Sequence, residues 1–146
     1  MRPAAFAKVL RQQSTDLERN MLEAAGANAQ LLGSRIREHI VRDDLPLTAL
    51  SPEWVRFKLS RGKPRAHLHY TGNYLSNFRV ERIKGGFTVG TNRPTVSSSF
   101  NLPEYLESKY PVWQLSADEA RGDTERNAQE AVDATLDARA PRFKRQ

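Results

Sequence analysis

The stretch Leu50–Thr91, LSPEWVRFKLSRGKPRAHLHYTGNYLSNFRVERIKGGFTVGT, decides the fold. Ser51 is a helix N-cap candidate, Pro52 suits the first helical position, and Glu53 complements the positive end of the helix dipole. Trp54, Val55, Phe57 and Leu59 read as apolar anchors of this short helix, with Arg56, Lys58 and Arg61 on the wet side. Gly62 is a natural C-terminal cap and Pro64 forbids continuation. Ala66, Leu68 and Tyr70 then alternate with His67 and His69, which predicts a short extended segment. Thr71-Gly72 closes it, and Asn73, Tyr74 and Leu75 form one further turn. Phe78, Val80 and Ile83 interleave with Arg79, Glu81 and Arg82 as a strand. Lys84-Gly85-Gly86 turns the chain, since glycine accepts the positive φ that hairpins demand. Phe87 and Val89 run back on the second strand, giving a β-hairpin over 78–90.

Outward from this centre, the first forty residues read as one helix. Phe6, Val9, Leu10, Leu17, Met21 and Leu22 lead into Leu32, Ile36 and Ile40 at four-residue spacing, a stripe suited to packing on a sheet. Gly26 and Gly33 each cost a helix about 1 kcal/mol relative to alanine, so they mark a bend or a close approach. Asp43, Asp44 and Pro46 end the helix. Downstream, residues 91–102 (TNRPTVSSSFNL) read as a long loop, mobile or committed to a contact. Glu104–Lys109 forms a short helix, and Ser116-Ala117-Asp118-Glu119 reads as a capping box opening the last one. Its apolar side, Ala120, Ala128, Val132 and Leu136, is thin and suited to lying along a neighbour. The tail, 139–146, is expected to be flexible. Together these predict a single α+β domain over 1–146: long N-terminal helix, small antiparallel sheet, C-terminal helix.

Composition narrows the function. The 146 residues are 38% hydrophobic, enough for one modest core. There is no cysteine, so thiolate zinc sites, disulfides and cysteine nucleophiles are excluded. No apolar run approaches the length of a membrane span, and the N-terminus lacks the apolar heart of a signal peptide, so a soluble protein is expected. Net charge is +6, and its placement is uneven. Residues 46–102 hold nine basic against two acidic residues, while the flanking thirds are nearly balanced.

The basic block Arg56, Lys58, Arg61, Lys63, Arg65, Arg79, Arg82 and Lys84 is the main functional signal. It suits phosphates, whose neutralisation releases counterions, or an acidic surface on a neighbouring protein. Tyr70, Tyr74 and Phe78 are interleaved with it. A free-standing nucleic-acid-binding monomer or dimer is therefore an alternative, although no known recognition module is legible. Catalysis finds little support. His67 and His69 would share a strand face but lack a third ligand. Asp43-Asp44 beside His39 reads as a helix end facing solvent. No phosphate loop or serine elbow is present. No cofactor, metal or catalytic set is expected, and the chain does not read as an enzyme.

The order Leu50-Ser51-Pro52 before a basic helix, then Thr71-Gly72-Asn73-Tyr74-Leu75, then Gly86-Phe87-Thr88-Val89-Gly90-Thr91, resembles tailed-bacteriophage virion morphogenesis proteins, the tail-completion or neck proteins that join head to tail. Tyr105-Leu106-Glu107 and Leu115-Ser116 take the places of that pattern's last elements. The loop after Thr91 is longer than the pattern, and Pro111-Val112-Trp113 replaces an Arg-Pro-Phe-like element. The resemblance implies a structural virion protein: a homo-oligomeric ring, sixfold in such families, assembled in the host cytoplasm and meeting other neck and tail proteins. It implies that the basic block lines the DNA passage or faces an acidic partner. Inter-subunit contacts would then fall on the long loop and tail, at Arg93, Val96, Phe100, Leu102 and Phe143.

Overall fold

The computed structural model describes residues 3–65, 67–68, 78–91 and 102–137, with the backbone alone at 91 and 102–104. The order is α1 (Pro3–Arg42), α2 (Pro52–Ser60), β1 (Phe78–Ile83), β2 (Gly86–Thr91), α3 (Leu102–Lys109) and α4 (Val112–Asp137). This is the expected α+β arrangement of long helix, hairpin and C-terminal helix. The two strands pair antiparallel from Phe78↔Thr91 to Ile83↔Gly86, around a two-residue Lys84-Gly85 turn with Gly85 at φ 82°.

The hairpin sits on α1, and the two α1 glycines are its seats. A Cβ built on Gly33 would lie 2.8 Å from Val80 Cγ2 and 3.6 Å from Phe78 Cε1. One built on Gly26 would lie 3.0 Å from the tip of the Phe87 ring. Close approach, not a bend, explains both. Arg37 adds a strap, donating from Nη2 to the Phe78 carbonyl at 2.8 Å. The core gathers at the C-terminal half of α1: Ile36, Ile40, Leu68, Phe78 and Val112, with Leu32, Val89, Leu106 and Trp113 around them. Trp113 packs edge-on against Phe78 and presses on Gly90, where a Cβ would come within 3.2 Å of the indole.

α4 runs antiparallel along α1. Asn20 donates to Thr135 Oγ1, Asn28 pairs with Asn127 and the Thr124 carbonyl, and Arg35 meets Glu119 and Asp123. Of the thin apolar side of α4, Ala120 is buried, whereas Leu136 stays 60% exposed. Small side chains such as Ala29 and Ala120 allow close approach, and polar pairs supply specificity.

Three expectations are corrected. The Ser116 capping box does not open α4, which starts four residues earlier at Val112. Glu107 caps it from α3, its carboxylate accepting from Trp113 N at 3.1 Å and Gln114 N at 3.0 Å. Ser116 is instead buried, its hydroxyl donating to the Val112 carbonyl at 2.6 Å. On α2, the inward face carries Lys58, while Trp54, Phe57 and Leu59 are exposed. Finally, His67 and Leu68 lie in a turn and not in an extended segment.

α2 otherwise forms as expected. Ser51 Oγ accepts from Trp54 N at 3.3 Å. At the other end Gly62, at φ 65°, donates to the Leu59 carbonyl and Lys63 N to that of Lys58, the paired closure of a Schellman motif. Ala66, His69, Tyr70, the Thr71-Gly72 turn and Asn73–Leu75 lie outside the described residues.

Candidate functional site

The basic block divides into two groups. On α2 and its exit, Arg56, Arg61 and Arg65 are exposed and Lys63 is half-buried. Trp54 and Phe57 stack with centroids 5.2 Å apart, and the Arg61 guanidinium lies 5.2 Å from the Phe57 ring centre. Attraction between a cation and the negative face of an aromatic ring holds such a pair. Among the described residues Arg56 makes a long, solvent-exposed pair with Glu53 at 3.9 Å, which contributes little. On the hairpin, Arg79, Arg82 and Lys84 are exposed. Arg79 borders a cleft of about 340 Å³ between β1 and α1, with Gln30, Ser34, Arg37 and Glu81 on its walls. Arg82 borders a second cleft with Arg19, Glu23 and Phe87.

Lys58 leaves this group. Its residue surface is 0% exposed, so its ammonium cannot lie on an open face. Burial lowers its pKa, and the charge of Asp43 opposes that shift only in part. Asp43 also accepts from His67, from the backbone N–H at 3.0 Å and through Nδ1 at 2.7 Å, while His67 Nε2 lies 2.8 Å from the Thr48 carbonyl. Asp43 takes a left-handed conformation, φ 54°, which a short polar side chain tolerates. His67 and Asp43 therefore tie the segment after α1 to the segment after α2. Asp43 is therefore not simply the solvent-facing helix end that the sequence suggested.

The densest charge cluster was not legible as a unit. His39 Nδ1 lies 2.5 Å from Asp44 Oδ1, and Nε2 lies 2.7 Å from Glu119 Oε2. Carboxylates only accept, so both contacts are satisfied when both ring nitrogens carry protons. Burial lowers the pKa of His39, but the hydrogen bonds and charges of Asp44 and Glu119 outweigh it and the net shift is upward. The hydrogen bond from His39 in turn lowers Asp44. Glu119 also binds Arg35, and Arg35 reaches Asp123, which pairs with Arg126. With His39 charged, three cations meet three carboxylates along the α1–α4 seam. The available signal was periodicity: Asn20, Asn28, Arg35 and His39 recur on one face of α1, a polar stripe beside the apolar one.

Among the described residues no group of three histidines, cysteines or carboxylates is placed to hold a metal ion, and no helix is long and apolar enough to cross a membrane. Of the expected inter-subunit residues, Arg93, Val96, Phe100 and Phe143 lie outside the described residues. Leu102 opens α3, with only its backbone described. No family model matches the chain, and no curated protein and no solved structure shows significant similarity to it.

Proposed function

We propose that the chain is a structural subunit of a tailed-phage virion, forming a ring at the neck or tail end that helps join head and tail. The observation that carries this reading is the place of the GFTVGT segment. It forms β2 of a hairpin seated on a long helix, and Gly90 of its V-G-T end makes room for the Trp113 indole. The motif thus coincides with the junction that joins α1, the hairpin and α4. Contacts that repeat head to tail and close on themselves generate such rings. The exposed arginines of α2 and the hairpin would meet DNA or an acidic neighbour without reading sequence. Changing Arg56, Arg61 and Lys63 together to Glu should lower the titre of infectious particles by at least tenfold while leaving the folded chain intact by circular dichroism. An undiminished titre would remove the basic face from the function.

A second reading has its own observation. The stacked, exposed Trp54–Phe57 pair flanked by Arg56 and Arg61 resembles a platform for unpaired bases. A free nucleic-acid-binding protein would show affinity falling steeply with salt. Co-sedimentation with tail tubes, against single-stranded DNA binding at two salt concentrations, separates the two readings.

A further inference from the structure

β1 has an outer edge whose direction is fixed by the hairpin. Around a two-residue turn the flanking residues Ile83 and Gly86 form a hydrogen-bonded pair, and bonded and non-bonded pairs then alternate along the ladder. Phe78, Val80 and Arg82 therefore turn their backbone N–H and C=O groups away from β2. The Phe78 carbonyl bears this out, since it accepts from Arg37 outside the sheet at 2.8 Å. A row of unpaired strand groups is a ready template for a further strand.

Beside that edge lies the cleft of about 340 Å³ against α1. Its strand wall is four consecutive residues, Phe78 to Glu81. Successive side chains point to opposite faces of a sheet, so a cleft that touches all four follows the edge. Its helix wall is Gln30, Gly33, Ser34 and Arg37, of which the three with side chains are exposed. Among the described residues Gln30, Ser34, Arg79 and Arg82 have no side-chain hydrogen bond or ion pair. Three guanidinium groups border the edge, from Arg37, Arg79 and Arg82, against the single carboxylate of Glu81. The residues outside the described set, 1–2, 66, 69–77, 92–101 and 138–146, include no aspartate or glutamate. An acidic strand for this edge therefore comes from elsewhere. A phosphodiester backbone fits less well, because it offers no donor to the outward carbonyl of Val80.

We propose that the β1 edge binds an extended acidic segment of another protein as an added antiparallel strand, its backbone on Val80 and Arg82. In this mode main-chain bonds supply affinity and alternate side chains supply specificity. Acidic residues of the segment lie opposite Arg79 and Arg82. A neutral one lies opposite Glu81, since like charges directly across a ladder destabilise it. This binding needs no ring and no virion, so it stands or falls apart from the reading above.

The probe is the peptide acetyl-TETVET-amide, whose glutamates fall opposite Arg82 and Arg79 and whose central threonine falls opposite Glu81. Its charge-reversed control is acetyl-TKTVKT-amide. Titrated into the isotope-labelled full chain, the first peptide should shift the Val80 and Arg82 amide resonances with a Kd on the order of 1 mM. The lysine peptide should bind about tenfold more weakly, and Arg79→Glu should weaken the glutamate peptide by about as much. Arg82→Pro removes one outward N–H at a place where an edge strand tolerates proline. It should abolish the shifts while the other hairpin resonances keep their positions. Absence of any shift at about 5 mM peptide would overturn the proposal. So would equal affinity for the two peptides, or binding that survives Arg82→Pro. Single-stranded DNA that moves the same amides more strongly would assign the edge to nucleic acid, and self-association that protects them would assign it to a second copy. Either result would also overturn the proposal.

Discussion

Gly33→Ala isolates the contact on which the hairpin's position depends. In an exposed helix interior this change stabilises by about 1 kcal/mol through helix propensity. At Gly33 the new methyl would sit 2.8 Å from Val80 Cγ2, with Phe78 Cε1 at 3.6 Å and Val89 Cγ1 at 3.9 Å. Val80 is β-branched and stiff at χ1, so its methyl cannot swing away cheaply. Overpacking of this kind costs about 1–3 kcal/mol, which exceeds the propensity gain and leaves a net loss of about 1 kcal/mol. For a chain of this size that lowers Tm by about 2–4 °C. Gly122, in α4, supplies the control, because a Cβ there meets nothing within 4 Å. Gly122→Ala should raise Tm by a similar amount. Combining Gly33→Ala with Val80→Ala should cost less than the two single changes added together, since the second removes the clashing methyl. Thermal unfolding of the four variants decides the matter. Stabilisation by Gly33→Ala equal to that of Gly122→Ala would refute the seating of the hairpin on α1.

The His39 cluster makes stability depend on pH. Its raised pKa means that the contribution is fully present below the ordinary value of about 6.5 and is lost as pH rises through the folded-state value. Asp44, shifted downward, contributes above its ordinary 3.8 and loses that contribution as pH falls through its folded-state value. Asp44 and Glu119 are well exposed, so solvent screens the effect and keeps it small. His39→Gln should destabilise at pH 6 and by much less at pH 9, measured by urea midpoints. At the N-terminus of α4, Glu107→Ala should cost about 1 kcal/mol by removing the cap, whereas Ser116→Ala should cost less. Reversed order in a urea titration would restore the capping box at Ser116 as the start of the helix.

The hairpin and α2 were legible because turn and cap chemistry is local. Gly85 and Gly62 take the positive φ that their positions require, and Ser51 caps within three residues. The end of α1 was likewise carried by the Asp43-Asp44-Pro46 stop. What escaped was set by distant partners. Ser116-x-x-Glu119 satisfies the pattern of a cap, but Glu107, on the preceding helix, already holds the backbone amides of Trp113 and Gln114. Lys58 looked wet because charge usually is. On so short a helix the apolar residues surround the axis, and the side turned inward carries Lys58 toward the field of Asp43. The polar ladder from Asn20 to His39 was hidden for a related reason. Amide and charged residues read as surface until a second helix is known to lie on them.

The most direct measurement is the copy number of this chain in purified phage particles, by quantitative mass spectrometry against known capsid and tail proteins. A ring subunit at the neck or tail end predicts a small, fixed number of copies per particle, retained through high-salt washing. Absence from the particles, or a variable amount removed by salt, would contradict a structural role in the virion.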